Sequence, residues 1–109
     1  MVENNPEQLD NIFRALADAT RRAMLRELSV REHSVGELAA PHRMSLAAAS
    51  KHVKALEKAG LVERKIAGRT HRVRLAPARL AEAHEWLRYY ERFWTERLDA
   101  LERALNEPE

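Results

Sequence analysis

The fold of this protein is decided by residues 34–60, whose sequence is SVGELAAPHRMSLAAASKHVKALEKAG. Ser34, followed three residues later by Glu37, is the pattern of a capping box, and Pro41 ends the short helix that this box begins. Ser45 then caps a longer helix, which continues to the glycine that closes the stretch. The stretch therefore predicts two helices joined by a short turn.

Two more helices are predicted before this stretch. Residues 7–17 carry apolar side chains at helical spacing, and Asp18 is placed to cap a second helix that ends near Val30. The apolar stripe is Leu9, Ile12, Phe13, Leu16 and Ala17 in the first helix and Met24, Leu25 and Leu28 in the second.

After residue 60 the apolar period changes from that of a helix to that of a strand. Two short runs, 61–66 and 70–75, flank a turn that contains Gly68, which predicts a β-hairpin. Pro77 then opens a helix of up to about thirty residues. We expect a mainly α fold with a small β-hairpin: a winged helix-turn-helix of five helices plus a wing. We expect one domain, 1–109, with the helix-turn-helix at 34–59, the wing at 61–75 and a dimerisation helix at 77–105.

The charge of the chain is unevenly distributed. The 109 residues carry a formal net charge of only +2, yet residues 43–79 hold ten basic and two acidic side chains, a charge of +8, which leaves −6 for the rest. Clustered lysine and arginine bind polyanions through their local field rather than through the protein average. The segment therefore favours nucleic acid as the partner, with a solvated face or an acidic protein as the alternatives.

The longer helix of the pair is expected to enter the major groove, because its two faces differ. Ala49, Val53 and Leu56 share the core face, whereas Ala47 lies opposite with the lysines. Small residues let the helix backbone approach the bases, serines bond base edges or phosphates, and lysines hold phosphates. The expected DNA contacts are Ser45, Ala47, Ala48, Ser50, Lys51 and Lys54 on the helix and Arg64, Lys65, Arg69, His71 and Arg72 on the wing.

Three segments resemble the ArsR family of bacterial winged-helix transcriptional regulators. They are FRALADATRR at 13–22, SVGELA at 34–39 and SKHVKALEKAGLV at 50–62, in the family's order and spacing. The resemblance implies a homodimer built from the first and last helices. It also implies binding to an inverted-repeat operator in double-stranded DNA, usually as a repressor that an effector releases. The sequence does not identify an effector.

A heptad stripe on the last helix favours dimerisation independently of that resemblance. Five of the six aromatic residues lie between Trp86 and Trp94, and this helix has more apolar surface than so small a core covers. The alternatives are packing on the chain's own core or an aromatic pocket for a small ligand. The expected interface residues are Leu9, Ile12, Phe13, Leu80, Leu87, Tyr90, Trp94, Leu98 and Leu101.

The sequence favours a regulator without metal, cofactor or catalysis. It contains no cysteine, and Ser34 and Gly36 stand where one group of family metal sensors has a Cys-x-Cys pair. His84 resembles part of a second family site, but Thr95 and Leu98 stand where further ligands are needed. A metal sensor built on His84 and acids is one alternative, and a protein-interaction adaptor is another. No phosphate-binding loop or nucleophile–base pair indicates an enzyme.

The sequence also predicts a cytoplasmic protein with no membrane partner. No apolar run approaches the roughly 20 residues that span a bilayer. The first seven residues, MVENNPE, lack the basic-then-apolar order of a signal peptide.

Overall fold

The computed structural model describes residues 6–107. Residues 1–5 and 108–109, at the two ends of the expected single domain, lie outside this range, as does most of the N-terminal sequence read for a signal peptide. The elements are α1 Pro6–Leu16, α2 Ala19–Val30, β1 His33–Ser34, α3 Val35–Ala39, a 3-10 turn Ala40–His42, α4 Leu46–Lys58, β2 Val62–Ala67, β3 Thr70–Leu75 and α5 Pro77–Asn106. No helix among the described residues is long and apolar enough to cross a membrane.

The helix starts follow the predicted caps. Asp18 accepts a hydrogen bond from the amide of Arg21 at 3.0 Å, and Ser45 accepts one from the amide of Ala48 at 3.1 Å. At α3 the capping box is reciprocal. The amide of Glu37 donates to Ser34 Oγ at 3.1 Å, and the amide of Ser34 donates to Glu37 Oε1 at 2.9 Å. Three short polar side chains thus set the boundaries of α2, α3 and α4.

The end of α4 is closed by Gly60, as its sequence predicts. Gly60 has φ of +75°, and the amide of Leu61 bonds the carbonyl of Leu56 at 2.9 Å while the amide of Gly60 bonds that of Glu57 at 2.9 Å. This pair of bonds is a Schellman motif. A Cβ at Gly60 would lie 2.8 Å from Cγ of Arg79. The motif turns the chain directly from α4 into β2.

The hairpin is part of a three-stranded antiparallel sheet of order β1-β3-β2. The hairpin itself was predicted, but β1 was not. In β1, His33 pairs with Val73 and Ser34 pairs with Arg72. A strand of two residues shows no alternation from which a sequence could reveal it. Its effect is to fasten the wing to the start of α3.

The helices and the sheet enclose one cluster of buried apolar residues. The core face predicted for α4, Ala49, Val53 and Leu56, is completely buried. Ile12 requires a correction. This residue was expected in the dimer interface, but its side chain is 0% exposed within the protomer. It therefore has no surface to offer a partner.

The last helix extends well beyond this core. Of its 30 residues only Ala83 is buried, and every residue from His84 to Glu107 is exposed. The radius of gyration is 18.5 Å, against about 13 Å for a compact domain of this length. The extended arm of α5 leaves a long apolar surface uncovered.

Candidate nucleic-acid interface

The face of α4 opposite the core is free. Ala47, Lys51 and Lys54 are exposed, and Ala48 and Ser50 are half-buried beside them. Ser45 accepts the cap bond described above, so its hydroxyl hydrogen is available to an acceptor outside the protein. The face therefore presents small side chains over its first turns and two lysines in the middle of the helix.

These lysines are not neutralised within the protein. Across residues 6–107, neither Lys51 nor Lys54 lies within 4.0 Å of a carboxylate oxygen. Unpaired ammonium groups on one helix face attract phosphates without first having to break an internal ion pair.

The strand register divides the basic residues of the wing between two faces. Arg64 pairs with Val73 and Ile66 with His71, whereas Lys65 pairs with Arg72 and Glu63 with Arg74. Directly paired residues lie on the same side of a sheet, so Arg64 and His71 share the face of the buried Val73. Lys65 and Arg72 lie on the opposite face. These four residues were expected to form one set of DNA contacts, and the structure separates them.

Arg72 and Arg74, on the outer face, are held by acidic side chains. Arg72 Nε lies 3.4 Å from Glu32 Oε1 and Arg72 Nη1 lies 3.5 Å from Glu37 Oε1. Arg74 Nη2 lies 2.6 Å from Glu63 Oε2. Arg72 was expected to contact DNA, but its guanidinium is engaged with α3 and the segment before it.

Two wing cations remain available. Lys65 and Arg69 are exposed, and neither forms an ion pair within the described part of the chain. Arg69 follows Gly68, which turns the hairpin with φ of +64°. The tip of the wing therefore carries its free charge on these two residues.

Arg64 and His71 form a contact on the inner face of the hairpin. Arg64 Nη1 donates to His71 Nδ1 at 3.3 Å. Because a guanidinium has only donors, Nδ1 of His71 is the acceptor in this bond, which leaves Nε2 as the ring nitrogen that carries a hydrogen. His71 can thus donate a hydrogen bond from Nε2, whereas Arg64 is turned inwards.

A concave surface of about 540 Å³ lies between the hairpin and the starts of α3 and α4. Arg69, Thr70 and His71 line it from the wing. The helical side is lined by Ser34, Val35, Gly36, Leu46, Ala47 and Ser50, and Arg64 of β2 also borders the surface. Five of the residues expected to meet DNA therefore border one groove: Ala47, Ser50, Arg64, Arg69 and His71.

Two exposed aliphatic residues on this side of the protein were not predicted from the sequence. Leu46 is 62% exposed at the first position of α4, and Ile66 is 64% exposed near the wing tip. Leu46 shares the helical period of the core face, three residues before Ala49, so the sequence carries no signal that it is exposed. Ile66 lies on the inner face of a strand that has extended past the core, which only the tertiary structure reveals.

His52 lies beside the core, as its helical position predicts. Its Nδ1 is 4.0 Å from Oδ1 of Asp18, the cap of α2. The amide of Arg21, which donates to Asp18, holds the pKa of that carboxyl below its ordinary value of 3.8, and His52 acts in the same direction. Likewise, the backbone bond from Ser34 lowers the pKa of Glu37. His52 thus joins α4 to the start of α2.

No group of three or more potential metal-ligating side chains comes together among residues 6–107. His84, the histidine considered for a metal site, is exposed on α5.

The expected dimer residues, except Ile12, are at least partly accessible. Leu9, Phe13 and Leu80 are half-buried at the edge of the core. Phe13 meets Trp86 edge-to-face, with ring centroids 5.4 Å apart, which joins α1 to α5. The exposed residues on α5 are Leu87, Tyr90, Trp94, Leu98 and Leu101, the last three at 55%, 65% and 57%.

Comparisons with known proteins agree with this geometry. Residues 16–65 match a family model described as a helix-turn-helix domain. The chain is 40% identical over 89 residues to the HTH-type transcriptional regulator Rv2034 of Mycobacterium tuberculosis. That alignment covers 82% of this chain and 80% of the relative.

Solved structures show the same fold. An ArsR family transcriptional regulator, RHA00566, superposes with a TM-score of 0.78 at 36% identity, covering 86% of this chain and 97% of the other. The winged helix-turn-helix DNA-binding domain of Mb0332 from Mycobacterium bovis, a possible ArsR-family regulator, is homodimeric in solution. It matches with a TM-score of 0.64 at 26% identity, covering 84% of this chain and 90% of that domain.

Proposed function

Because this chain belongs to the ArsR family of winged helix-turn-helix transcriptional regulators, we propose that it is a homodimeric repressor that binds an inverted-repeat operator in double-stranded DNA. Its relatives are DNA-binding transcriptional regulators and not enzymes. The observation that carries the proposal is the free face of α4, where Lys51 and Lys54 are exposed and unpaired within residues 6–107 beside small side chains. As a regulator of bacterial transcription it would act in the cytoplasm, where the chromosome lies.

In the proposed complex α4 lies in the major groove. Ala47 and Ala48 allow close approach and can contact thymine methyl groups, while Ser45 and Ser50 bond base edges or phosphates. Lys51 and Lys54 hold phosphates along the groove wall. Between residues 45 and 58 there is no Arg, Asn or Gln to make a bidentate base contact. Direct readout is therefore modest, and the phosphate contacts supply most of the affinity.

The wing supplies the second part of the interface. Lys65 and Arg69 are the free cations of its tip, and His71 offers an Nε2 donor at the edge of the groove. Arg64 and Arg72 are left out of the proposed contact set because Glu57 and the pair Glu32 and Glu37 already engage them. The wing thus contacts DNA with fewer residues than its basic sequence indicates.

We propose that the dimer forms through α1 and α5. Nine of the twelve large hydrophobic residues exposed among the described residues lie on α5. Apolar patches much larger than about 300–600 Å² are rare on monomers. The proposed interface consists of Leu9, Phe13, Leu80, Leu87, Tyr90, Trp94, Leu98 and Leu101.

We further propose that regulation does not use a metal. Ser34 and Gly36, which replace the family's cysteine pair, supply no thiolate. His84 lies on α5 without two further ligand-type side chains grouped around it in the described chain.

Selection of DNA from a random-sequence pool tests this function. The full-length protein is expected to recover a duplex with two related half-sites. Its affinity for that duplex, measured by fluorescence anisotropy, should fall by about three orders of magnitude between 50 and 200 mM salt if about six phosphates are neutralised. No recovered duplex, or binding that does not depend on salt, would refute the proposal and favour an adaptor that binds an acidic protein.

A further inference from the structure

Arg64 is an unusually buried arginine for a residue in a basic hairpin. Its side chain is only 12% exposed, and Nη2 lies 3.6 Å from Oε1 of Glu57, the second-last residue of α4. Nη1 donates to His71 on β3 at 3.3 Å. Two of its nitrogens, Nε and Nη2, are shielded from solvent without a hydrogen-bond partner within the described chain. A buried charge in this state depends strongly on the carboxylate beside it.

Arg64 and its hydrogen-bond partner His71 are also the last residues on the inner face of the wing that are not exposed. Val62 and Val73, nearer the base of the hairpin, are buried in the core. Beyond Arg64, every residue from Lys65 to Thr70 is exposed. The tip of the wing therefore projects freely, and its direction depends on where the last inner contact holds the strands.

Glu57 connects this contact to the DNA-facing helix. It lies in the last turn of α4, one turn beyond Lys54, and its side chain is 43% exposed. The Arg64 guanidinium thus joins α4, β2 and β3 through Glu57 and His71. A shift in this contact would change the distance between the lysines of α4 and the free cations Lys65 and Arg69.

We infer that Arg64 is a positioning residue, which sets the wing relative to α4 through Glu57 and does not itself hold a phosphate. The inference rests on the proposed DNA-binding function. It assigns a role to Glu57, an acidic residue on the DNA-binding helix that simple electrostatics treats only as unfavourable for DNA binding.

The variant Glu57→Gln distinguishes a positioning role of Glu57 from a purely electrostatic one, because the two roles predict opposite changes in affinity for DNA. If Glu57 acts only through its charge, its neutralisation should strengthen binding, because a negative charge near the phosphates is removed. If Glu57 holds Arg64 in place, binding should weaken about three- to tenfold. The salt dependence should also fall, since contacts made by the wing are lost.

Glu63→Gln is the matched control. Glu63 precedes Arg64 on β2, is exposed on the outer face and pairs with Arg74. Its neutralisation changes the net charge by the same amount but leaves the Arg64 contact intact. We expect unchanged or slightly tighter binding from this variant.

A double-mutant cycle then tests whether the two residues act together. In an Arg64→Met background, Glu57→Gln should have no further effect on affinity, and Arg69→Ala should cost less than in the wild type, because the wing is already displaced. The probe for all variants is the duplex that the wild-type protein recovers from the random pool. Tighter binding by Glu57→Gln, or effects of Arg64→Met and Arg69→Ala that multiply in full, would overturn the inference.

The test remains informative if one variant is unstable. If Arg64→Met does not fold, as judged by thermal unfolding, the affinity of Glu57→Gln still shows whether loss of the carboxylate weakens or strengthens DNA binding. Glu57 is partly exposed, so this substitution is expected to leave the protein folded. If the wild type recovers no duplex, the proposed DNA-binding function fails, which is a different result from an inverted effect of Glu57→Gln.

Discussion

Lys65 and Arg72 lie directly opposite each other on β2 and β3, but only Arg72 is ion-paired. Glu32 and Glu37 engage its guanidinium, whereas Lys65 has no such partner within residues 6–107. Two basic residues in one cross-strand pair are therefore placed in different electrostatic situations by acids that lie far away in sequence.

Because only Arg72 is ion-paired, we expect alanine substitutions of Lys65 and Arg72 to affect DNA binding differently. Lys65→Ala should lower the slope of log affinity against log salt by about 0.9 through the loss of one phosphate contact. Arg72→Ala should leave that slope unchanged, because its charge is already committed to carboxylates. Fluorescence anisotropy titrations at several salt concentrations measure both slopes. Equal losses of slope would show that Arg72 releases its acids to bind DNA.

Charge reversal on α4 should abolish binding without unfolding the protein. The double variant Lys51→Glu, Lys54→Glu places two negative charges on the free helix face, so affinity for the selected duplex should fall at least 100-fold. Arg26→Glu, an exposed residue on α2, serves as the control for a change of charge alone. An electrophoretic mobility assay measures the effect. Retained binding by the double variant would favour the adaptor alternative.

Charges in the apolar stripe of α5 should dissociate the dimer. Leu98 and Leu101 are 65% and 57% exposed in the protomer, so Leu98→Glu with Leu101→Glu costs little within one chain. In an interface the same charges would be desolvated. Sedimentation should show a monomer for this variant and a dimer for the wild type. The control variant Arg103→Glu, on the opposite face of the helix, should remain dimeric. If the double variant is also dimeric, this stripe is not the dimer interface.

Two glycines should respond differently to alanine. Gly60 and Gly68 both have positive φ, so each substitution introduces backbone strain of about 1 kcal/mol. Only at Gly60 would the new Cβ lie 2.8 Å from Cγ of Arg79, whereas at Gly68 no atom lies within 4 Å. Denaturant unfolding should therefore show a greater loss of stability for Gly60→Ala. Equal losses would mean that Arg79 moves aside freely.

Stability at acid pH should depend on Asp18. Its folded-state pKa lies below the ordinary value of 3.8, so the unfolded chain binds the proton more tightly and stability falls as pH decreases below that value. Asparagine caps helices as well as aspartate but does not titrate. Between pH 6 and pH 3 the free energy of unfolding, measured with denaturant, should fall less steeply for Asp18→Asn than for the wild type. Parallel curves would assign the acid sensitivity to other groups.

The local elements of this fold were predictable because their causes are local. The caps at Asp18, Ser34 and Ser45 and the termination at Gly60 act over a few residues, and the structure confirms each of them. The core face of α4 followed from the helical period alone.

The tertiary structure alone decided which basic residues are free. Arg72 meets Glu37 across 35 positions of the chain, and no local spacing specifies that contact. The two-residue strand β1 exists because β3 pairs with it. Ile12 enters the core rather than a dimer interface because the other helices pack around it.

For this protein the sequence by itself determined the order of the elements, their caps and the concentration of positive charge between residues 43 and 79. The tertiary structure decided that Arg64 is largely buried beside Glu57 and that Arg72 is ion-paired, and it left Lys51, Lys54, Lys65 and Arg69 exposed. The physical reason is the distance along the chain over which each interaction acts. Capping and periodicity act within a few residues, whereas burial and ion pairing depend on which distant segments meet when the core closes.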